Sequence, residues 1–193
     1  MHLFLFLFKT LVDLLIIGLM LRIFCSLWIN NTNPIHQAIV LMTNPLIRPL
    51  SPYIRNKKQL ILLLVGLSLM IKFFSLWFAF SLYCLVGLNL LQLLALSLMT
   101  LITFVLKLFF FGILAHAILS WLAPNNYSPA SDFIRQLIVP ILGPIQKRLP
   151  YPAGLDFSPF IAIVIIQALI MIVPINSVLT QVVCTNFVSN TII

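Results

Sequence analysis

Long apolar stretches without a charged side chain dominate the pattern of this sequence. Residues 60–71 and 73–106 contain no Asp, Glu, Lys or Arg. A helix of about 20 apolar residues is long enough to cross the hydrocarbon core of a bilayer. The N-terminal run MHLFLFLFKTLVDLLII is also apolar, with Lys9 inside it rather than ahead of it, which predicts a retained span and not a cleaved signal peptide. The pattern therefore predicts an all-α, multi-pass transmembrane helical protein.

Two amphipathic segments interrupt the apolar stretches. In each, apolar residues recur at the spacing i, i+3, i+4, i+7, which places them in one stripe along a helix. The stripe consists of Ile35, Ala38, Ile39, Met42 and Leu46 in the first segment, and of Ala130, Phe133, Ile134, Leu137 and Ile141 in the second. Each segment starts with a helix-capping residue and a proline, and the residue before a later proline avoids the helical conformation. We predict short helices over residues 33–43 and 128–139 that lie flat on the membrane surface.

The two segments correspond to each other at an offset of 95 residues, and the match continues upstream at an offset of 94. The sequence thus predicts a tandem repeat of two units, each a span, a cytoplasmic amphipathic helix with a proline-rich turn, and a second span. Residues 1–81 form the first unit and residues 82–193 the second. The prolines that mark the caps and turns are Pro34, Pro45 and Pro49 in the first unit and Pro129, Pro140, Pro144 and Pro159 in the second.

Basic residues are concentrated in two loops, at residues 30–58 and 124–158. These loops carry seven of the eleven Lys and Arg residues, and the positive-inside rule places both in the cytoplasm. An even number of spans must therefore separate them, and a further span within residues 82–103 is disfavoured. We predict spans at about 5–29, 59–81, 98–122 and 159–183, with both termini periplasmic. The seven residues, here called the basic platform, are Arg48, Arg55, Lys57, Lys58, Arg135, Lys147 and Arg148.

The composition argues against several functional classes. The chain is 62% hydrophobic and only 7% charged, and its net charge of +8 is typical of cytoplasmic loops beside anionic headgroups rather than of a nucleic-acid binder. Its acids are Asp13, Asp132 and Asp156; we expect Asp132 to favour a helix N-terminus and pair with Arg135, and Asp156 to fix a turn. No nucleophile–base grouping, metal-ligand spacing or phosphate-binding glycine loop is present. We therefore expect no catalytic, cofactor or metal site.

Charged residues inside the predicted spans are the strongest functional candidates, because intramembrane ions usually face inward and pair. The offset of 94 gives Asp13 and Lys107 the same depth. They are expected to meet between the first and third spans, with Lys72 nearby. The alternative is that Asp13 pairs with Lys9 one turn earlier and Lys107 extends to the outer headgroups.

The same offset pairs Arg22 with His116 and Gly18 with Gly112. Arg22 is expected either to reach lipid phosphates or to bind carbonyl groups freed at the proline turns. His116 is expected to hydrogen-bond a neighbouring helix, the alternative being a proton relay. The two glycines would let the first and third helices approach closely.

The motifs NPLIRPLSPYI and PILGPIQKRLPYPAGLDFSP resemble the YggT family of bacterial inner-membrane proteins, which is related to YlmG. The resemblance covers nearly the whole chain, although the first copy has IRNKKQ in place of the glycine-containing turn. It implies a non-enzymatic protein of the inner membrane, linked to osmotic-stress tolerance and potassium handling. Relatives in the family are linked to division or nucleoid organisation and to cytochrome assembly.

Two functional hypotheses follow. The first is a membrane-organising scaffold whose basic platform binds anionic headgroups, a second copy of the chain or another membrane protein. The simpler alternative for these charges is that they only orient the chain in the membrane. The second hypothesis is a small ion channel or transporter component, related to potassium, with a polar path around Asp13, Lys107, His116 and Gln167.

Overall fold

The computed structural model describes residues 2–29, 32–83, 89–122, 128–147 and 158–173, and nearly all of them are helical. This confirms the all-α prediction. The helices are α1 (His2–Trp28), α2 (Pro34–Ile47), α3 (Lys57–Tyr83), α4 (Leu90–Leu122), α5 (Pro129–Gln146) and α6 (Ser158–Ile172), and a 3₁₀ helix, Arg48–Tyr53, joins α2 to α3.

Three of the described helices are long and apolar enough to cross a membrane. Their apolar segments are Phe6–Trp28 in α1, Lys57–Ser81 in α3 and Leu90–Ser120 in α4. Two spans therefore fit between the basic loops, as predicted. The short apolar helix α6 begins at the predicted fourth span, and the rest of that span lies outside the described residues.

Helix α4 begins at Leu90, earlier than the predicted start at residue 98. No proline or glycine interrupts residues 90–111, so nothing stops the helix from extending towards its N-terminus. Its 33 residues give a length of about 50 Å, against about 30 Å for the hydrocarbon core. The extra residues between the basic loops thus lengthen α4 instead of forming another span.

The predicted caps of the two surface helices are confirmed. The side chain of Asn33 accepts a hydrogen bond from the Ile35 amide at 2.9 Å, and Ser128 forms a capping box with Ser131. The predicted ends at residues 43 and 139 are wrong, because α2 continues through Pro45, and α5 through two prolines, Pro140 and Pro144.

Helical hydrogen bonding resumes directly after these prolines. The Arg48 amide donates to the Asn44 carbonyl, and the Lys147 amide donates to the Gly143 carbonyl. A proline removes only its own N–H donor, and the loss falls in the last turn of each helix for Pro45 and Pro144. The preference of the preceding residue for extended structure is thus outweighed by packing of these helices on the spans.

Helices α1 and α4 are the centre of the packing. Helix α1 packs against α2, α3 and α5, whereas α4 packs against α3, α5 and α6. Residues exposed by 1% or less join these helices in one core: Leu19 in α1, Leu64 in α3, Ile113 in α4 and Ile138 in α5. Large apolar side chains such as Leu62, 77% exposed, cover the outer faces, as expected of a surface that contacts lipid.

The two predicted packing glycines lie against surface helices, not between the first and third spans. A Cβ atom on Gly18 would lie 3.6 Å from Thr43 Cγ2 of α2, and one on Gly112 would lie 3.6 Å from Ile138 Cδ1 of α5. The prediction named the wrong neighbour, because the offset between the glycines fixes their depth but not the direction they face. Thr43 and Ile138 themselves correspond at the offset of 95.

We predict that Gly112→Leu lowers the free energy of unfolding by about 1–3 kcal/mol, because its side chain would overpack the contact with α5. Gly112→Ala should be tolerated, since the added Cβ would meet Ile138 at ordinary contact distance. Thermal unfolding of the purified protein in detergent measures both. Gly66→Leu is the control, because nothing lies within 4 Å of a Cβ at Gly66. Equal losses at Gly66 and Gly112 would contradict the assignment.

Candidate functional site

Helix α1 carries two polar clusters at different depths. One surrounds Arg22 near the surface helices, and the other surrounds Asp13 within the apolar segment. The two side chains are separated by about 13 Å along the helix axis, at 1.5 Å per residue. Helix α1 is therefore tied by polar contacts to two different neighbours, α2 and α3.

Arg22 fastens α2 to α1. Its Nη1 atom donates to the Val40 carbonyl at 3.1 Å, to Thr43 Oγ1 at 2.7 Å and to Asn44 Oδ1 at 3.0 Å. The arginine is only 9% exposed, so these acceptors replace the water that a guanidinium would otherwise bind. Thr43 in turn donates its hydroxyl hydrogen towards the carbonyl of Ile39, which fixes its orientation. We call these residues the Arg22 cluster.

The structure shows Arg22 bound to a carbonyl at the proline segment, as one of its two predicted roles has it, but this carbonyl is not one that a proline frees. The carbonyl group that Pro45 leaves without its helical donor belongs to Leu41, and Arg22 binds the neighbouring carbonyl of Val40. The two side-chain acceptors were not predicted. Their signal in the sequence is the polar pair Thr43-Asn44 directly before Pro45.

A cavity of about 670 Å³ opens beside the Arg22 cluster. It lies between α1, the C-terminal end of α2, the 3₁₀ helix and the start of α3. Two arginines and one amide contribute its polar lining, and the remaining lining is apolar. The lining residues are Arg22, Asn44, Pro45, Ile47, Arg48, Ile54 and Leu60.

The described residues of the second half do not repeat the combination of Arg, Thr and Asn that forms the Arg22 cluster. The positions that correspond to Thr43 and Asn44 hold Ile138 and Val139, and the position of Arg22 holds the half-buried His116. At these positions α5 makes apolar contacts, with Leu137 and Ile138 in the main core. The proton-relay alternative for His116 stays a prediction.

The two surface helices are joined to each other. Asn33 Nδ2 donates to the Pro129 carbonyl at 3.1 Å, which links the N-terminal ends of α2 and α5. An apolar cluster beneath this bond contains Cys25, Ile29 and Phe133, with Ile35 and Ile39 packed against it. The predicted apolar stripe of α5 therefore faces protein at Phe133 and Leu137, whereas Met42 in the stripe of α2 is 79% exposed.

The basic platform includes Arg135 in α5 and Lys147 directly after α5, and its other described residues lie in the 3₁₀ helix, the loop and the start of α3 that follow α2. The six of its residues that the structure describes are all exposed: Arg48, Arg55, Lys57, Lys58, Arg135 and Lys147. Arg148 lies outside the described residues. The expected pair of Asp132 with Arg135 is not formed, because the carboxylate accepts from Gln136 Nε2 at 2.7 Å, four residues along α5.

The intramembrane carboxylate pairs with Lys72 and not with Lys107. Lys72 Nζ lies 2.8 Å from Asp13 Oδ1 and 5.9 Å from the centroid of the Phe104 ring. Lys107 is exposed on α4. Lys72 was expected nearby, which is confirmed, but the pairing with Lys107 was wrong because equal depth does not imply contact: the partner comes from α3, which packs directly on α1. Lys9 lies within electrostatic reach of Asp13, Lys72 and Lys107.

The apolar helices and the polar clusters that fasten them define a multi-pass helical membrane protein. A family model described as CCB3/YggT matches residues 95–178. The uncharacterized protein PA0392 of Pseudomonas aeruginosa is 34% identical over 142 residues, 73% of this chain and 72% of that protein. The uncharacterized protein YggT of Escherichia coli K12 is 29% identical over 171 residues, 86% of each chain. The chain belongs to the CCB3/YggT family, which confirms the resemblance seen in its motifs. No solved structure matches it.

We predict that Arg22→Lys loosens α2, because the lysine ammonium ends one bond short of the position of Nη1, the atom that makes all three contacts with α2. The free energy of unfolding should fall by about 2 kcal/mol. Hydrogen exchange in detergent should become faster in α2 amides and stay unchanged in α6. Arg135→Lys is the matched control on α5, where the arginine is exposed, and it should change stability by less than about 0.5 kcal/mol. Equal effects of the two substitutions would contradict a special role of Arg22.

A double-mutant cycle tests the ion pair. Asp13→Asn should lower the free energy of unfolding by about 3 kcal/mol, because it leaves Lys72, whose side chain is 12% exposed, without a counter-charge. Adding Lys72→Met should recover most of this loss. The control double variant Asp13→Asn/Lys107→Met should recover none of it. Recovery with Lys107→Met but not with Lys72→Met would show that the pair is the one expected from the repeat.

Proposed function

We propose that the protein is a non-enzymatic scaffold of the bacterial inner membrane that holds a partner at its basic platform. The observation that carries this proposal is the joining of α2 and α5. The bond from Asn33 to the Pro129 carbonyl and the shared apolar cluster connect both surface helices to one another. Because α2 is also bonded to α1 and α5 packs on α4, the segments that carry the exposed basic side chains are attached to helices held against the spans.

The charge of this surface defines the chemistry of the partner. Its six described basic residues are exposed. Among the described residues of this surface, the acidic residue is Asp132. Juxtamembrane basic residues attract anionic headgroups by about 1 kcal/mol per charge. They also favour acidic segments of proteins near the membrane, and a membrane protein with such a segment is the partner we propose.

The proposed orientation follows from the same charges. With both basic loops in the cytoplasm and four crossings, both termini are periplasmic. The links to osmotic-stress tolerance, division or complex assembly that the family resemblance implies would then depend on which partner the platform holds.

The channel or transporter alternative has less support. Transporter sites are formed by helices that break near the middle of the membrane. Helices α1, α3 and α4 are each continuous through their apolar segments. Asp13, the acid proposed for a polar path, is held in an ion pair with Lys72.

Site-specific photocrosslinking in native membranes tests the scaffold. A photoreactive amino acid at Lys58 or Lys147 should give a discrete protein adduct, whereas one at Leu62, on the outer face of α3, should not. Neutralising Arg55, Lys57 and Arg135 with glutamine should lower the yield at least about fivefold, the equivalent of about 1 kcal/mol in affinity. Arg48 is left intact so that the cavity is preserved.

Ion flux in proteoliposomes is the counter-test. If the wild-type protein conducts potassium, Asp13→Asn abolishes that flux and the neutralised variant conducts normally, the channel function replaces the scaffold. Absence of any adduct at both Lys58 and Lys147 would also overturn the proposal.

A further inference from the structure

We infer that the cavity beside Arg22 binds the headgroup phosphate of an anionic phospholipid. This inference goes beyond the scaffold proposal, because it concerns a single lipid in a defined cavity and does not require a protein partner. It rests on four features of the cavity: donors on Arg22 that bind no described residue, a second arginine, a lining without acids, and apolar walls at the membrane border.

The first feature is the set of donors that Arg22 still offers. A guanidinium carries five N–H groups, distributed over Nε, Nη1 and Nη2. The hydrogen bonds that Arg22 forms with described residues all use Nη1. Nε and Nη2 together form the edge that recognises two oxygens of one phosphate. Arg22 lines the cavity, and its contacts with α2 hold it in place before any ligand binds.

The second feature is the charge of the lining. Arg48 lines the same cavity from the start of the 3₁₀ helix, and Asn44 adds an amide. None of the seven lining residues is acidic. A phosphodiester with one net negative charge is therefore favoured over a zwitterionic headgroup, whose ammonium would find no carboxylate in the lining.

The third feature is the apolar part of the lining, formed by Ile47, Ile54 and Leu60. Inorganic phosphate has no apolar surface with which to contact these side chains. The glycerol backbone and first methylene groups of a phospholipid do.

The fourth feature is the depth of the cavity. Leu60 belongs to the first turn of α3, whose apolar segment starts at Lys57. The cavity thus lies where the apolar part of a span begins, which is the level of the lipid phosphates. A bound lipid would connect Arg22 of α1 to Arg48 of the 3₁₀ helix.

Native mass spectrometry of the full-length protein, purified in detergent, tests the inference. The probes are phosphatidylglycerol and phosphatidylethanolamine with identical acyl chains, together with inorganic phosphate as a separate arm. We expect one phosphatidylglycerol to be retained in preference to phosphatidylethanolamine. Arg48→Gln should weaken this retention at least about tenfold, because a charge-assisted hydrogen bond to phosphate is lost. Arg55→Gln is the matched control, since this exposed arginine is in the same loop but does not line the cavity; it should change retention less than twofold.

A second measurement distinguishes loss of lipid binding from misfolding of a variant. The melting temperature of each variant without lipid serves as its own baseline, and added phosphatidylglycerol should raise it above that baseline for the wild type and Arg55→Gln but not for Arg48→Gln. Equal loss in both variants would show diffuse surface attraction and overturn the inference. Equal retention of the two lipids would do the same. Competition by millimolar inorganic phosphate that abolishes lipid binding would reassign the cavity to a free anion.

Discussion

The burial of one guanidinium at the end of an apolar helix is the constraint on which the arrangement of the first half depends. Arg22 cannot lose its hydration without acceptors, and α2 supplies a carbonyl, a hydroxyl and an amide oxygen within 3.1 Å. This requirement fixes α2 at one height against α1. Because the 3₁₀ helix and α3 follow α2 directly, their start and the cavity between them are positioned by the same contact.

The sequence predicted the features that depend on composition along the chain. Apolar length determined the all-helical class and the two spans between the basic loops, and the caps at Asn33 and Ser128 follow from local chemistry. It placed Lys72 near Asp13 but named Lys107 as the partner, and it assigned the wrong neighbours to the two glycines. Asp13 pairs with Lys72, and the two glycines face surface helices, because lateral packing selects one face of each helix and a repeat offset defines only depth. The prolines did not end the helices as predicted, because packing on the spans compensates for the N–H donor that each proline lacks.

The two halves hold their surface helices by different means. In both halves a glycine of a long helix packs against a surface helix, Gly18 against Thr43 and Gly112 against Ile138. Beside the first of these contacts lies the buried Arg22. The side chains of an apolar contact carry no hydrogen-bond donor that a ligand could use. A guanidinium that uses one of its nitrogens leaves donors on the others. The half with the polar contact therefore places a buried guanidinium beside a cavity, and the family model, which matches residues 95–178, covers the other half.

Helix α1 carries both the Arg22 cluster and the ion pair of Asp13, and these contacts restrict its movement relative to α2 and α3. It is bonded to α2 through Arg22, paired with α3 through Asp13, and packed in the core at Ile16 and Leu19. Shifting α1 relative to either neighbour would expose an ion to hydrocarbon, at a cost of about 2.5–3.5 kcal/mol or more. A helix held at two depths by charges is poorly suited to the rocking motion of a transporter. It is well suited to keeping a surface at a fixed position, which is the physical requirement of a scaffold.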